Sequence, residues 1–409
     1  MSDNTVSQRQ PLEGIKVLDL SRLIAGGFIG TVLADFGAEV VKIEQPGSGD
    51  PLRAWSPSNS QLWWKVYARN KKSMTLDLST DEGRQLLLDL VVHFDVLTES
   101  FIPGKLESWG LGPDELLARN PELVIVRASG WGQTGAYSKR PGFGTLIESM
   151  SGFADMTGYP DSPPTLPPLP LADMVTSLYG TIGTMVALFD RLRTGEGGQV
   201  IDLAIYEPLV SILGPMAAEY QHFGIKQPRR GNRAPTNAPR NIYYTSDQRW
   251  IAISAATQSM FVKFFQALGL ESYIDDPRFE TNHHRIENVE ALDALIQGVM
   301  GNRTQEENLA IFHKAGVTAA PVYDIEQLLD DEHVKTREVI VDIEDQDWQS
   351  IKMHNVIPRL SKTPGRIQHS GPLLGEHTES VLSDAGFSQE QIDTMKANGL
   401  FGREQGEQQ

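Results

Sequence analysis

Residues 15–43 of the chain read IKVLDLSRLIAGGFIGTVLADFGAEVVKI. The apolar run Ile15–Leu20 predicts a short strand, and the segment from Gly26-Gly27 through Phe36 has the spacing of a helix. Glu39–Ile43 predicts a second strand. Two consecutive strands joined through a helix pair in parallel with a right-handed crossover, so this stretch indicates a βαβ unit.

The alternation of strand and helix continues along the first half of the chain. Further strands are predicted at Ser73–Leu78, Val96–Thr98, Leu123–Ala128 and Gln199–Ala204. Helices are predicted from Thr80 through His93, around Asp114–Arg119 and in the long apolar segment after residue 173. This pattern is typical of an α/β fold built on a parallel sheet.

The second half of the chain has a different order of predicted strands and helices. A helical stretch is predicted at Glu207–Phe223, and the basic, proline-rich Lys226–Arg240 predicts a linker or ordered loop. Strand Arg249–Ser254 and helices near Met260–Leu268, Glu287–Gly298 and Gln305–Ala315 then indicate a smaller α+β domain ending near Asp330. We expect later strands, including Glu338–Ile343, and the C-terminal helices to return to the first sheet. The expected domains are residues 1–225, 226–330 with the linker, and 331–409, with a frayed tail at Arg403–Gln409.

Composition limits the classes of partner. The 409-residue chain is 40% hydrophobic, enough for two or three domains. Its net charge of −17 argues against nucleic acid or an anionic membrane as partner. Cysteine is absent, which excludes disulfides, thiolate nucleophiles and cysteine-ligated metals. The polar start, residues 1–10, and the lack of any apolar run of transmembrane length lead us to expect a cytoplasmic protein.

One carboxylate, Asp173, stands between a proline-rich run, Pro160–Pro170, and the long apolar helix pattern. Two interpretations are open. Asp173 is either an N-cap residue, or a nucleophilic carboxylate that the helix end keeps ionised.

Two other motifs carry weaker functional information. The segment Gly130–Gly135, GWGQTG, satisfies G-x-G-x-x-G after a strand, but Pro141 prevents the early helix that a dinucleotide site needs. A glycine-rich turn beside a ligand is therefore the favoured interpretation. The nine histidines are scattered without an H-x-x-x-H spacing, so no metal site is predicted.

Basic and aromatic residues collect between the predicted strands. The basic residues are Lys42, Arg53, Lys65, Arg69, Lys71, Lys72, Lys105, Arg127, Lys139 and Arg140, and the aromatic residues are Trp55, Trp63, Trp64, Tyr67 and Phe101. The cluster is either a solvated surface or a pocket for a phosphorylated ligand with a flat adenine.

Many of these segments, in this order, resemble the family III CoA-transferases, which include formyl-CoA transferase, carnitine CoA-transferase and the α-methylacyl-CoA racemases. The resemblance runs from about Leu12 to Leu382. It rests on Leu12–Arg22, Ala34–Glu44, Pro46–Asp50, Arg69–Leu78, Glu99–Gly104, Gly130–Gly135, Leu171–Met174 and Gly231–Pro235. It implies a large Rossmann-like domain and a small domain in a ring-shaped subunit of an interlocked homodimer.

The resemblance also implies a mechanism. Asp173 occupies the position of the family's catalytic aspartate, which reacts through an aspartyl mixed anhydride and an aspartyl-CoA thioester to move CoA from an acyl-CoA to a carboxylic acid. The family's CoA-contacting positions correspond to Leu23, Ala25, Asn70, Lys71 and Phe101. Coenzyme A is then a substrate, with no permanently bound cofactor and no metal.

Departures from the family pattern leave some points open. Gln45, Ser100 and Ser108 replace a basic residue, an asparagine and an arginine of formyl-CoA transferase, while Arg22 and Ile24 replace a histidine and a glutamine. The residues that anchor the CoA phosphates and the acceptor acid are therefore not fixed. Phe143 stands where the racemases have the histidine of their two-base pair, which counts against racemisation.

Transfer of CoA is the expected activity, and an acyl-CoA racemase or epimerase and a catalytically inert CoA-binding protein are the alternatives. Arg22, Arg233 and Arg240 are either ligands for the second carboxylate of a dicarboxylic acid or ordinary surface and ion-paired arginines. Succinyl-CoA is a donor consistent with the first of these. Glu148 and Asp155 lie near Asp173 in chain order, and no role is assigned to them.

Overall fold

A computed structural model describes residues 9–57 and 60–402. The tail predicted at residues 403–409 lies outside the described residues. The chain forms two compact units. The first contains the described residues up to Phe153, then Pro167–Gly214 and the described residues from Glu338 onward, and the second contains Ala154–Leu166 and Pro215–Arg337.

Strands and helices have the following bounds. The strands are β1 Lys16–Asp19, β2 Glu39–Glu44, β3 Lys71–Thr75, β4 Val96–Glu99, β5 Val124–Ser129, β6 Val200–Ala204, β7 Arg240–Tyr244, β8 Trp250–Ser254, β9 Ala319–Pro321, β10 Ile340–Asp345 and β11 Gln349–His354. The α-helices are α1 Gly27–Asp35, α2 Leu62–Tyr67, α3 Asp81–Leu90, α4 Lys105–Ser108, α5 Pro113–Arg119, α6 Gly144–Met150, α7 Phe153–Met156, α8 Leu171–Thr194, α9 Tyr206–Ser211, α10 Met216–Phe223, α11 Gln258–Leu268, α12 Asn282–Glu287, α13 Val289–Met300, α14 Gln305–Ala315, α15 Ile325–Asp330, α16 Glu332–Thr336, α17 Thr378–Asp384 and α18 Gln389–Ala397.

The first unit is organised by a parallel six-stranded sheet in the order β3-β2-β1-β4-β5-β6. Lys16 pairs with Glu39 and Val17 with Val96, so β1 lies between β2 and β4 and the βαβ prediction is confirmed. This order is that of a doubly wound sheet, in which strand order reverses beside β1. Ligands of such sheets bind beyond the carboxyl ends of the strands at that reversal.

Both faces of this sheet are covered. On one face Leu18, Leu97 and Ile125 belong to a core that also contains Leu382 and Ile392 from the two C-terminal helices. On the other face Val17, Val124 and Val126 pack in a core with Ile29 of α1 and Leu188 of α8. Burial on both faces explains why the strands are continuous apolar runs instead of alternating ones.

The strand expected to rejoin this sheet does not do so. β10 pairs with β11 in an antiparallel hairpin of its own, with Ile343 opposite Ile351. The sheet prediction was wrong because the complementary strand follows β10 almost immediately in the chain. Lys65 of α2 connects the hairpin with the rest of the first unit through its Nζ, 2.9 Å from Asp345 Oδ2.

In the second unit, strands β7, β8 and β9 form an antiparallel sheet packed on an apolar core. The core includes Phe264, Phe265, Leu292, Ile296 and Phe312 from α11, α13 and α14. Residues between α10 and β7 form no helix or strand, as predicted for the linker. The single helix predicted at Glu207–Phe223 was wrong, because Gly214-Pro215 separates α9 from α10 and Gly214 has a φ of +76°.

Helix α8 has the length and apolar composition of a membrane-spanning helix. The expectation that no segment reaches that length was therefore wrong. Hydroxyl groups interrupt its apolar sequence, but Thr176 and Thr184 donate to the carbonyls of Ala172 and Gly180 at 2.7 Å, within the helix itself. Ala187 and Leu188 are buried in the core beneath the sheet, so this face of the helix is covered by protein.

Candidate active site

A cavity of about 500 Å³ lies beyond the carboxyl ends of β1–β4, at the reversal of strand order. Its lining includes Arg22, Gln45, Leu76, Leu78, Phe101 and Trp109. The segments that follow β1 and β4 are tied together there, because the Arg22 N–H donates to Ser100 Oγ at 2.8 Å. The fold therefore provides a ligand cavity where doubly wound sheets bind their ligands.

The cavity combines an aromatic wall with one free cation. The rings of Phe101 and Trp109 meet edge to face with centroids 5.4 Å apart. Lys105 Nζ lies 4.3 Å from the centroid of the Trp109 ring. Among the described residues lining the cavity, Arg22 is the one cationic side chain, and no ion pair to it is found in that part of the chain.

The acidic groups lining the same cavity are already neutralised. Arg53 donates to both oxygens of Glu44, at 2.7 and 2.8 Å. Lys42 Nζ lies 3.1 Å from Asp50 Oδ2. Because these carboxylates already have cation partners, neither of them neutralises Arg22, which is exposed.

Most of the basic cluster seen in the sequence is engaged inside the protein. The pairs are Lys42–Asp50, Arg53–Glu44, Lys65–Asp345, Arg69–Asp35, Lys71–Asp19, Lys72–Glu39 and Arg127–Glu99. Lys72 and Glu39 are partly exposed, as expected for a solvated surface. Neither interpretation of the cluster fits the other six basic residues, which are neither solvated charges nor free phosphate ligands. Their burial explains the pairing, because a buried charge needs a partner of opposite sign.

Asp173 is the third residue of α8. The N-cap of that helix is Pro170, and no side-chain cap hydrogen bond is present, so the N-cap interpretation of Asp173 was wrong. The carboxyl group lies against Gly144 at the start of α6. A Cβ on Gly144 would be 3.2 Å from Asp173 Oδ2 and 3.3 Å from its Cγ and Oδ1.

Glu148, one turn further along α6, occupies the amino end of α8. Its side chain is 3% exposed, and its Oε1 accepts the Ala172 N–H at 3.1 Å. Burial, and next the nearby charge of Glu148, raise the pKa of Asp173 from 3.8 to about 7. Burial and the like charge of Glu148 thus oppose the stabilisation of the ionised Asp173 that was expected from the helix end, and its role as a nucleophile stays a prediction.

The turn between β1 and α1 connects the cavity with Asp173. Ser177 Oγ lies 3.2 Å from the carbonyl oxygen of Ile24, 2.9 Å from that of Ala25 and 2.9 Å from that of Asp173. Leu23 has a φ of +60°, and its N–H donates to Asp50 Oδ1 at 3.1 Å. One turn of backbone thus runs from the cavity lining to the first turns of α8.

The residues predicted to contact CoA fall in two places. Leu23 and Ala25 are in this turn, and Phe101 lines the cavity. The side chains of Asn70 and Lys71 are engaged elsewhere: Asn70 Nδ2 donates to Asp35 Oδ1 at 2.8 Å, and Lys71 Nζ lies 2.9 Å from Asp19 Oδ2. The role of all five in binding CoA stays a prediction.

The other candidate residues also have defined surroundings. Arg233 Nε lies 2.8 Å from Asp293 Oδ2, which is the ion-paired alternative. Arg240 lines a separate cavity of about 390 Å³ in the second unit. Asp155 pairs with Arg229 at 3.4 Å. Within residues 9–57 and 60–402, no group of three histidine, aspartate or glutamate side chains is placed to hold a metal ion.

The glycine-rich segment at residues 130–135 forms a loop, as predicted, and no helix follows until Gly144. Gly130 packs so closely on Gly142 that a Cβ would lie 2.7 Å from the Gly142 Cα. The loop therefore folds back on itself instead of opening toward a pyrophosphate at a helix start.

Comparison with known proteins identifies the class of enzyme. The profile of CoA-transferase family III matches residues 12–378. The chain belongs to this family. A succinyl-CoA–D-citramalate CoA-transferase of Chloroflexus aurantiacus is 43% identical over 401 residues, which are 97% of this chain and 100% of the relative. A succinate–glutarate CoA-transferase of Agrobacterium fabrum is 32% identical over 387 residues, 92% of this chain and 96% of the relative.

Comparison with solved structures supports the same family assignment. This family III CoA-transferase matches the crystal structure of a CAIB/BAIF family protein from Brucella suis with a TM-score of 0.83 at 33% identity, over 92% of this chain and 100% of that one. It is an enzyme that moves CoA from an acyl-CoA to a carboxylic acid.

Proposed function

We propose that the enzyme transfers CoA between dicarboxylic acids by covalent catalysis at Asp173. The observation that carries the proposal is the lack of a polar partner for this carboxyl group among the described residues. The buried acids Asp19, Asp35, Glu44 and Glu99 each have a cationic partner. No hydrogen bond or ion pair to the Asp173 carboxyl is found among the described residues, and Ser177 Oγ links the Asp173 backbone carbonyl to the Ile24 and Ala25 carbonyls of the β1–α1 turn.

The proposed reaction balances without water or a net proton. An Asp173 oxygen attacks the donor thioester carbonyl, the C–S bond breaks, and CoA leaves as its thiolate from an aspartyl mixed anhydride. The thiolate then attacks the aspartyl carbonyl, which releases the donor acid and forms an aspartyl-CoA thioester. The acceptor carboxylate attacks that thioester, the C–S bond breaks, and CoA leaves again as its thiolate from a second mixed anhydride. Attack of the thiolate on the acceptor carbonyl yields the new acyl-CoA and restores Asp173.

A pKa near 7 suits this role. At neutral pH roughly half of the Asp173 groups are ionised and able to attack. The ionised group is also more basic than an ordinary aspartate, and nucleophilicity rises with basicity. A carboxylate nucleophile suits the exchange, since the aspartyl-CoA thioester that it forms is close in energy to the donor and product thioesters.

The substrate class follows from the relatives. Succinate, citramalate and glutarate, named for the two relatives, are dicarboxylic acids. We propose succinyl-CoA as donor and another dicarboxylic acid as acceptor.

We propose that the cavity holds the adenosine part of CoA, with Phe101 and Trp109 against the flat base. Arg22 at the lining and Lys105 over Trp109 are the proposed phosphate ligands. Arg22 and Lys105 would supply positive charge for the phosphates, which the uncharged Gln45, Ser100 and Ser108 cannot supply. Leu23, Ala25, Asn70 and Lys71 are proposed to complete the contacts with CoA.

We also propose the interlocked homodimer of ring-shaped subunits that the sequence resemblance implies, with the two units as its large and small domains and a cytoplasmic location. Support for a second copy comes from the outer face of α8. Leu178, Ile182, Val186 and Phe189 recur at helical spacing and are exposed, Phe189 by 65%. A continuous apolar stripe of this kind is typical of an interface.

The mechanism is tested by intact-mass spectrometry of the enzyme mixed with succinyl-CoA. Wild type should show a covalent CoA adduct on Asp173, and Asp173→Ala should show none. Asp155→Asn, which removes an exposed carboxylate, is the matched control and should keep the adduct. An adduct that survives Asp173→Ala would overturn the proposal. Deuterium wash-in at Cα without an acceptor acid would instead indicate a racemase, and CoA binding without turnover on any acceptor would indicate an inert binding protein.

A further inference from the structure

We propose that Glu148 is a positioning residue for the reaction: its buried carboxylate accepts the N–H of Ala172 at the amino end of α8 and so fixes the first turn of α8, which carries the Asp173 nucleophile. This inference rests on the proposed function of Asp173. It concerns a residue that the sequence placed near the site without a role.

The geometry of α6 and α8 supports the assignment. Gly144 and Glu148 are four residues apart on α6, so they lie on the same face of that helix. Gly144 lies against the Asp173 carboxyl, and Glu148 accepts the N–H of Ala172, the residue before Asp173. Ile147 packs with Ala172 and Ala25 in one apolar cluster, which fixes α6 against both α8 and the β1–α1 turn.

The hydrogen bond has an electrostatic consequence. The N–H groups at a helix start carry partial positive charge and normally stabilise a nearby carboxylate. Here one of them is donated to Glu148, which brings its own negative charge into a buried place. The charge of Glu148 adds to burial, which is the larger cause of the raised pKa of Asp173.

Other charged groups around α8 do not explain this effect. The titratable groups on the elements packed against α8 are Asp35 on α1, Glu148 on α6, Tyr206 and Glu207 on α9, Arg127 on β5, Asp202 on β6 and, on the β1–α1 turn, Arg22. Those of α8 itself, besides Asp173, are Tyr179, Asp190, Arg191 and Arg193. Asp35 and Arg127 are ion-paired, and Asp202 accepts the Gln133 N–H. Of all these groups in the described part of the chain, Glu148 is the one whose charge raises the Asp173 pKa.

The test is the pH dependence of kcat/KM for Glu148→Gln with succinyl-CoA as donor. Glutamine keeps the size of the side chain and an oxygen for the Ala172 N–H, but it removes the charge. We expect the acid limb near pH 7 in wild type, from the pKa of Asp173, and about one unit lower in Glu148→Gln. The variant should be faster than wild type below pH 6 and a few-fold slower above pH 8, because its nucleophile is more often ionised but less basic.

A crossing of the two profiles separates the proposal from simple structural damage, which lowers the rate at every pH. Glu207→Gln, an exposed acid on α9, is the control and should leave the profile in place. An unchanged acid limb in Glu148→Gln, while Asp173→Ala is inactive and forms no adduct, would overturn this inference and leave the proposed function intact. Full activity of Asp173→Ala would instead refute the proposed function itself.

Discussion

The carboxyl group of Asp173 lies so close to Gly144 that a methyl group on Gly144 would displace it by a few tenths of an ångström. A Cβ there would lie 3.2–3.3 Å from three atoms of the Asp173 carboxyl group. We expect Gly144→Ala to turn the carboxyl out of its reactive orientation and to lower kcat by about tenfold or more, since small displacements of reacting groups are costly. Steady-state kinetics with succinyl-CoA measures the effect.

Gly183→Ala is a suitable control, because it adds the same methyl group within α8. There the nearest atom to a Cβ is Ile201 Cγ2 at 3.6 Å, an ordinary contact. This variant should keep full activity and gain a little stability, since alanine favours a helix interior more than glycine does. Equal activity in the two variants would show that the contact between Gly144 and Asp173 has no part in turnover.

Asp173→Asn should stabilise the folded protein at alkaline pH while abolishing activity. Burial and the charge of Glu148 raise the pKa of Asp173 to about 7 in the folded state, against 3.8 for the free group. The unfolded chain therefore loses this proton first as pH rises, and the folded state is progressively destabilised between about pH 4 and pH 7. Because asparagine does not ionise, the folded variant is not destabilised in this way as the pH rises.

We expect wild type and Asp173→Asn to be about equally stable at pH 4. Above pH 7.5 the variant should be more stable by on the order of 1–3 kcal/mol, allowing for the partial exposure of the carboxyl group. Urea unfolding at both pH values measures the difference, and Asp155→Asn provides the comparison. A constant difference across this pH range would show that Asp173 ionises normally in the folded enzyme.

Local pattern was enough to predict most of the parallel sheet. In residues 15–43 each element is set by nearby apolar spacing and by Gly26-Gly27, so strand, helix and strand are confirmed in order. Contacts between residues far apart in the chain could not be predicted from the local sequence pattern. Lys65 meets Asp345 in the final part of the chain, and nothing near Lys65 in the sequence indicates that its charge is neutralised.

At the candidate site, too, local features were predictable from the sequence and long-range contacts were not. Asp173 could be predicted as a candidate because an acid at the start of a long apolar helix is visible in the sequence. Gly144 and Glu148 were not assigned a role, since the roles proposed for them depend on the packing of α6 against the start of α8. The four-residue spacing of Gly144 and Glu148 was the available signal, but it gains meaning only once α6 is known to face Asp173.

Arg22→Gln should weaken the binding of acyl-CoA without changing the chemistry. Arg22 lines the cavity and has no ion-pair partner among the described residues, so its charge is free for an anionic group of the ligand. We expect KM for succinyl-CoA to rise about tenfold, with kcat within about twofold of wild type. The dependence of KM on salt should also become weaker, because one charge–charge contact is lost.

Lys72→Gln is the matched control for this prediction. Lys72 is a partly exposed cation whose Nζ lies 3.1 Å from Glu39 and 3.3 Å from Asp384. Its removal should leave KM unchanged. If KM for the acceptor acid rises in Arg22→Gln while KM for succinyl-CoA does not, Arg22 binds the second carboxylate of the acceptor instead of a CoA phosphate.

Phe189→Asp should convert a dimer into monomers if the outer face of α8 meets a second copy. The Phe189 ring lies in the exposed stripe with Ile182 and Val186, on the side of α8 away from the buried Ala187 and Leu188. A carboxylate buried in an apolar interface lacks a partner and is strongly unfavourable, whereas on a solvated monomer surface it costs little. Sedimentation velocity should therefore show half the wild-type mass for Phe189→Asp, and the wild-type mass for Glu196→Lys, a charge change at an exposed residue just after α8. If wild type is already monomeric and sediments with lipid vesicles, the stripe faces a membrane, and the homodimer is wrong.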